Sequence, residues 1–273
     1  MQAVMIHGIS ERASSGQSGS GQWREYAAAN AVSYVRQIVV GMGYEGLGSS
    51  KTDVEAKGSV IPSLGVPILP GFGRHRYRSY GNDVLLVIPT ANKGKVKLLK
   101  EAFGNQSPTG AKVHSVVIPF ESGVGEQPYN KAGVLGAHNR ISNALCHFDK
   151  PQNQDVFKKL TIGTVMVAAI ESYFQLDNAR KPIDYGLVEI HNATTGETRA
   201  CQSQGVIVSW EAVKRAQSFG FGADRNHGMV TVGKVLAANT NPLLDHANWH
   251  ERIAGKSRYT LIAEALQSLE IPW

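Results

Sequence analysis

Three side chains in this sequence have the type and setting to do phosphate chemistry. Lys95 closes the string Thr90-Ala91-Asn92-Lys93-Gly94-Lys95, a polar turn that follows the uninterrupted apolar run Val84-Leu85-Leu86-Val87-Ile88. Glu121 opens the string Glu121-Ser122-Gly123-Val124-Gly125-Glu126-Gln127-Pro128, and Glu171 follows the apolar run Val165–Ile170. A turn between a buried strand and a helix start offers unpaired N–H groups, and the helix dipole favours negative charge there. Lys95 adds a point charge. A carboxylate at a strand end beside such a turn suits Mg²⁺, which keeps several waters and takes one or two carboxylates plus substrate phosphates. The competing reading of Glu121, Glu126 and Glu171 is that they are exposed acids at strand ends.

These residues need strands and helices to hold them, and the pattern supplies both. Val84–Ile88 has no polar alternation, which suits a strand buried on both faces. Val96, Leu99, Ala102 and Phe103 then recur at helical spacing over 95–103. A strand is expected at His114–Pro119, a helix near Gly133–Phe148, a polar connection over Asp149–Lys159 and a strand at Ile162–Ile170. Strands at Tyr185–Ile190, Thr198–Ser203 and Val206–Val208 follow, the first two joined by a turn holding Thr195-Gly196-Glu197. Ser209 reads as the N-cap of a helix carrying Trp210, Val213 and Ala216, and Ser257–Leu269 as a last amphipathic helix. Strands alternating with helices, with a central hairpin, indicate an α/β domain with a mixed sheet.

The chain of 273 residues is long enough for one domain of about 180–200 residues plus an extension, or for two small domains. Residues 1–82 read as the extension. They comprise a flexible Ser/Gly-rich start, an amphipathic helix over 22–40 (Trp23, Ala27, Ala31, Tyr34, Ile38) and a Gly- and Pro-rich linker. Residues 83–273 form the main domain. Nothing approaches the length of a membrane span, and the N-terminus has no secretory pattern. Two cysteines, Cys146 and Cys201, argue against a disulfide framework and suit a reducing, cytoplasmic compartment. The net charge of +6 reads either as a solvated basic surface or as a sign of an anionic partner such as a nucleotide, nucleic acid or acidic lipid. The basic residues are scattered, so a nucleic-acid surface is disfavoured, and the run Arg74–Arg78 beside Tyr80 reads as a basic linker.

Some matches are decoys. Gly41-Met42-Gly43-Tyr44-Glu45-Gly46 fits a dinucleotide fingerprint, but no helical apolar face follows it. Gly94-Lys95 is no phosphate-binding P-loop, since Pro89 stands where the first Gly belongs. His246 and His250 are four residues apart with Asp245 beside them, a weak metal pattern lacking a clear third ligand.

In order and in local strings, Val84–Leu269 resembles the inosine/xanthosine triphosphatase family, which removes deaminated purine nucleotides. The resemblance rests on Thr90–Lys95, on Glu121–Pro128, on Gly136-Ala137-His138-Asn139-Arg140 with Asn143-Ala144 beyond it, on Ala169-Ile170-Glu171, and loosely on Gly255-Lys256-Ser257-Arg258. It implies an elongated mixed sheet flanked by helices, two lobes with a central cleft, a homodimer, and Mg²⁺- or Mn²⁺-dependent hydrolysis of nucleotides such as ITP and XTP. It further implies that Thr90, Asn92 and Lys95 hold the phosphate chain. Glu121 and Glu171 would bind metal or position the attacking water, and Arg140, Lys256 and Arg258 would contact phosphate or base. The alternative is a protein of this fold that binds nucleotide or a partner without turnover. Lys93 stands where the family has Pro, and Ser172-Tyr173 where it has glycines, which is expected to bring Tyr173 against the cleft.

Overall fold

The computed structural model describes residues 60–61, 71–72, 75, 77–177, 179–222, 226–240, 246–247 and 249–273. The expected helix over 22–40, the glycine string at 41–46, and Arg74, Arg76 and Asp245 lie outside the described residues.

Among the described residues the strands are β1 (Val60–Ile61), β2 (Asp83–Ile88), β3 (Val113–Val117), β4 (Gln127–Pro128), β5 (Ile162–Gln175), β6 (Ile183–Asn192), β7 (Thr198–Gln202), β8 (Gly205–Ile207) and β9 (His227–Gly228). The α-helices are α1 (Lys93–Asn105), α2 (Lys131–Phe148), α3 (Asp155–Lys159), α4 (Trp210–Ser218), α5 (Val232–Thr240), α6 (Trp249–Ala254) and α7 (Arg258–Ser268). The main sheet runs β1-β8-β6-β5-β2-β3, with β7 also on β6, while β4 and β9 form a separate pair. β2 is parallel to β3 and to β5, and the β5–β6, β6–β7, β6–β8 and β1–β8 pairs are antiparallel. The protein is therefore α/β with a mixed sheet flanked by helices. Because β1 pairs with β8, and Phe72 and Tyr77 pack on the core, part of the segment upstream of residue 83 belongs to this sheet domain. No helix among the described residues is long and apolar enough to cross a membrane.

The continuous apolar strands bury both faces. On β2, Leu85 and Val87 face one core together with Val134, Ala137 and Ile141 of α2. Val84, Leu86 and Ile88 face the other with Leu99 and Phe103 of α1 and Ile262 and Leu266 of α7. β5 divides in the same way, Val165, Val167, Ala169 and Tyr173 on the α2 side and Met166, Ala168 and Ile170 on the α1 side. A third cluster joins Val208, α4, Val232, Val235 and Trp249. Burying one such aliphatic side chain contributes about 1.5–3 kcal/mol, so these clusters dominate the stabilisation.

Caps mark the helix starts. The side chains of Asn92, Ser209 and Ser257 accept the N–H of the residue three positions on, at the starts of α1, α4 and α7. β5 runs past Glu171, where the apolar run stops, because its edge stays paired with β6 as far as Gln175 opposite Ile183. Glu171 therefore lies within a strand.

Candidate functional site

The site forms where β2 stops and β5 continues. Val87 lies opposite Val167, and beyond that point β5 has no β2 partner. The chain after β2 turns to α1 on one face of the sheet, and the chain after β3 leads to α2 on the other. Adjacent parallel strands whose helices leave on opposite faces open a crevice at their carboxyl ends, the usual ligand position in α/β sheets.

Each wall of this crevice has a physical origin. On the first loop, Thr90 Oγ1 accepts the Asn92 N–H at 3.2 Å, and Asn92 Oδ1 accepts the Lys95 N–H at 3.0 Å. This capped start aims Lys95 over the end of β2. There its Nζ donates to the Ile170 carbonyl at 2.8 Å and meets Glu171 Oε1 at 3.4 Å. On the second loop, Gly123 and Gly125 both adopt φ of 69°, a left-handed value that favours glycine. α2 locks this loop in place: Asn139 Nδ2 donates to the Ser122 carbonyl at 2.8 Å, and Asn143 Nδ2 to the Glu121 carbonyl at 3.2 Å. Gly136 allows the approach, since a Cβ there would lie 2.6 Å from Val124 Cγ2 and 3.3 Å from Glu171 Cγ. The two strings around Glu121 and Gly136 are thus one interlocking unit.

Arg140 ties the unit to the carboxylate. Its Nε donates to Glu171 Oε2 at 3.0 Å, and its Nη1 donates to the carbonyls of Phe120 and Pro89. Glu171, with a side chain 10% exposed, carries Lys95 on one oxygen and Arg140 on the other, and Oε1 also accepts the Ser172 N–H. Burial works against its ionisation, but Lys95, Arg140 and these hydrogen bonds outweigh burial and hold the carboxyl below its usual range. For Lys95, burial is the largest influence and lowers the ammonium pKa. Glu171 pulls it back up, and Arg258 and Arg140 lower it further. Arg258 is half-buried at the start of α7, with its Nε enclosed and without a hydrogen-bond acceptor. Glu171 thus answers two cations, Lys95 and Arg140, and Arg258 adds further positive charge near Lys95, so the crevice is rich in positive charge.

The structure gathers Thr90, Asn92, Lys95, Arg140, Glu171 and Arg258 about this crevice. Glu121 sits on its rim, held through its backbone, with the side chain exposed. Lys256, just ahead of α7, turns instead to Glu264 of that helix at 2.7 and 2.9 Å. Tyr173 lies on the same face of β5 as Glu171, its ring buried under α2, where a Cβ on Gly133 would collide with it, and its hydroxyl accepts from Gln202 at 2.8 Å. The histidine pair is not on one helix. His246 precedes α6, while His250 is buried with its Nε2 2.6 Å from Asp184 Oδ2 and its ring stacked on Trp249.

Among the described residues no group of three His, Cys, Asp or Glu is placed to hold a metal. Both oxygens of Glu171 are committed to cations, and Glu121 offers the exposed carboxylate. This donor set fits a hard divalent ion carried in on phosphate oxygens and water and met by one or two carboxylates; it is too sparse for an all-protein cage.

A second polar cluster lies beneath α2, away from the crevice. Glu189 of β6 is buried, its Oε1 is 3.7 Å from His138 Nδ1, and its Oε2 has no hydrogen-bond partner. Phe72 stacks on His138 at 4.0 Å and lies against His191, whose Nδ1 is 2.9 Å from Thr198 Oγ1. Burial pushes the Glu189 carboxyl up to about 7 and the His138 imidazole down. No motif announces this cluster in the sequence. A Glu in the middle of a predicted strand whose neighbours are apolar was the one available sign.

Fold and site define an α/β protein with a cation-rich crevice at the carboxyl ends of parallel strands. No family model matches the sequence. No curated protein matches it. Among solved structures the chain is similar to protein VC0702 from Vibrio cholerae, with a TM-score of 0.45 and 16% identity over 67% of this chain and 91% of that one.

Proposed function

We propose that the protein is a hydrolase of nucleoside triphosphates, acting on deaminated purine nucleotides such as ITP and XTP. The observation that supports this reading most is the crevice in which Lys95 and Arg140 share the single carboxylate of Glu171 while Arg258 adds positive charge near Lys95. A triphosphate supplies the missing negative charge, and the capped turn of α1 supplies N–H donors for it. In this reading the crevice is the central cleft between two lobes, and the enzyme works as a cytoplasmic homodimer.

The residues then divide the work. Thr90, Asn92 and Lys95 hold the phosphate chain, and Arg140 and Arg258 neutralise it from the other walls. As phosphate oxygens draw Lys95 and Arg140 onto themselves, Glu171 is released to accept a hydrogen bond from the attacking water and orient it. The water oxygen bonds to phosphorus, the phosphoric anhydride P–O bond breaks, and the water proton passes towards Glu171 and solvent. Glu121, with Glu171 once released, would hold Mg²⁺ or Mn²⁺, which when bound neutralises charge on the phosphate oxygens.

The test is a panel of ITP, XTP, dITP, ATP and GTP with the purified protein and Mg²⁺. Turnover of the 6-oxo nucleotides ahead of ATP, lost in Glu171→Gln while nucleotide binding survives, is the expected result. If no nucleotide in the panel is consumed, or if Glu171→Gln turns over like the wild type, the proposal fails.

A further inference from the structure

The helices α1 and α7 begin side by side, and one side chain joins their first turns. The Tyr259 hydroxyl donates to Asn92 Oδ1 at 3.2 Å, the same oxygen that caps α1 through the Lys95 N–H. The Tyr259 ring also lies against Gly94, where a Cβ would collide with it. A single phenol therefore touches the anion loop twice, through the oxygen of its capping residue and through Gly94, just before Lys95. Tyr259 stands in the first turn of α7, directly after Arg258 and two residues from the Ser257 cap.

An Asn cap alone leaves the loop some freedom, because the amide plane of the side chain turns easily about its last torsion. A second donor on the same oxygen narrows that rotation. The ring against Gly94 fixes how deep the loop sits on α7. From this position Lys95 reaches Ile170 and Glu171. We infer that Tyr259 is a positioning residue, which sets the aim of the Thr90–Lys95 loop, and so of the Lys95 ammonium, at the bound anion. The inference rests on reading this loop as the triphosphate cradle. It makes α7 part of the site through its Tyr259 as well as Arg258.

Tyr259→Phe keeps the ring on Gly94 and removes only the hydroxyl, and Gly94→Ala keeps the hydroxyl but displaces the ring. Two measurements read them: residue-resolved amide hydrogen exchange at Lys95, and the KM and kcat for ITP with Mg²⁺. For Tyr259→Phe the expected result is Lys95 exchange faster by roughly 2- to 10-fold, the scale of one hydrogen bond, and a KM raised by a similar factor. The β5 amides and the Tm should stay as in the wild type, which separates positioning from a general loss of structure. Gly94→Ala should show the larger effect on both. Unchanged Lys95 exchange in Tyr259→Phe overturns the inference, as does faster exchange with an unchanged KM in an active protein. If the wild type does not consume ITP, the hydrolase reading fails and the exchange result alone decides the role of Tyr259.

Discussion

Replacing Glu189 with Gln isolates the contribution of one buried acid to stability. The carboxyl moves from an ordinary 4.5 to about 7 on folding, because burial disfavours its charge. Its side chain is 4% exposed, so solvent screening is slight. Folding then raises the proton affinity. The folded state holds more protons than the unfolded state between these two values, and stability falls as pH rises through that window. The contribution of the protonated Glu189 carboxyl is complete below about 4.5 and fully lost above about 7. At 1.36 kcal/mol for each tenfold change in proton affinity, moving the carboxyl from 4.5 to about 7 is worth about 3 kcal/mol. Gln has the same shape and never ionises. Glu189→Gln should therefore match the wild type near pH 4.5 and exceed it by up to about 3 kcal/mol near pH 8, a Tm gain on the order of 6–12 °C for a domain of this size. Urea unfolding of both proteins at half-unit pH steps measures the difference directly. A difference that stays flat from pH 4.5 to 8 refutes the argument, and one that falls with pH would mean that His138 is protonated and paired with Glu189.

Two further perturbations probe the packing around the crevice. Arg140→Ala removes one partner of the buried Glu171 and the donor to the Phe120 and Pro89 carbonyls; with Lys95 still in place, a loss of about 2–4 kcal/mol is expected in denaturant unfolding, together with a rise in the Glu171 pKa. Gly133→Ala drives a methyl group into the Tyr173 ring and should cost about 1–3 kcal/mol by the same measurement; an unchanged midpoint would show that α2 can shift away from β5.

Much of the fold was legible because the apolar strands carry no polar interruption and the caps are Asn or Ser followed by helical spacing. β2, α1, α4 and α7 lie within a few residues of where the pattern puts them. The end of β5 was not legible. Glu171 and Ser172 look like the end of a strand, and only the pairing with β6, a tertiary effect, carries the strand past them. In the site, the placement of Asn92, Lys95 and Glu171 about one crevice follows the strings in the sequence. The commitment of Glu171 to two cations does not, because Arg140 reaches it from a helix whose distance from the strand depends on Gly136. Lys256 and Tyr173 show the same limit: a local match gives a residue type and a position, while a neighbour such as Glu264 or Gly133 decides where the side chain turns.

The junction of β2 with β5 also bears on how the protein folds. β5 and β6 form a hairpin of near neighbours in sequence, whereas the parallel β2–β5 pairing closes a loop that contains α1, β3, α2 and α3. Local contacts form before distant ones, because the loop entropy of a long closure must be overcome first. The hairpin should therefore appear early, with Glu171 in water, and β2 should dock late. The cations that pair with Glu171, Lys95 and Arg140, come from two distant parts of the chain. If β2 docks last, these groups reach their places in that step, and the crevice forms only with completed folding.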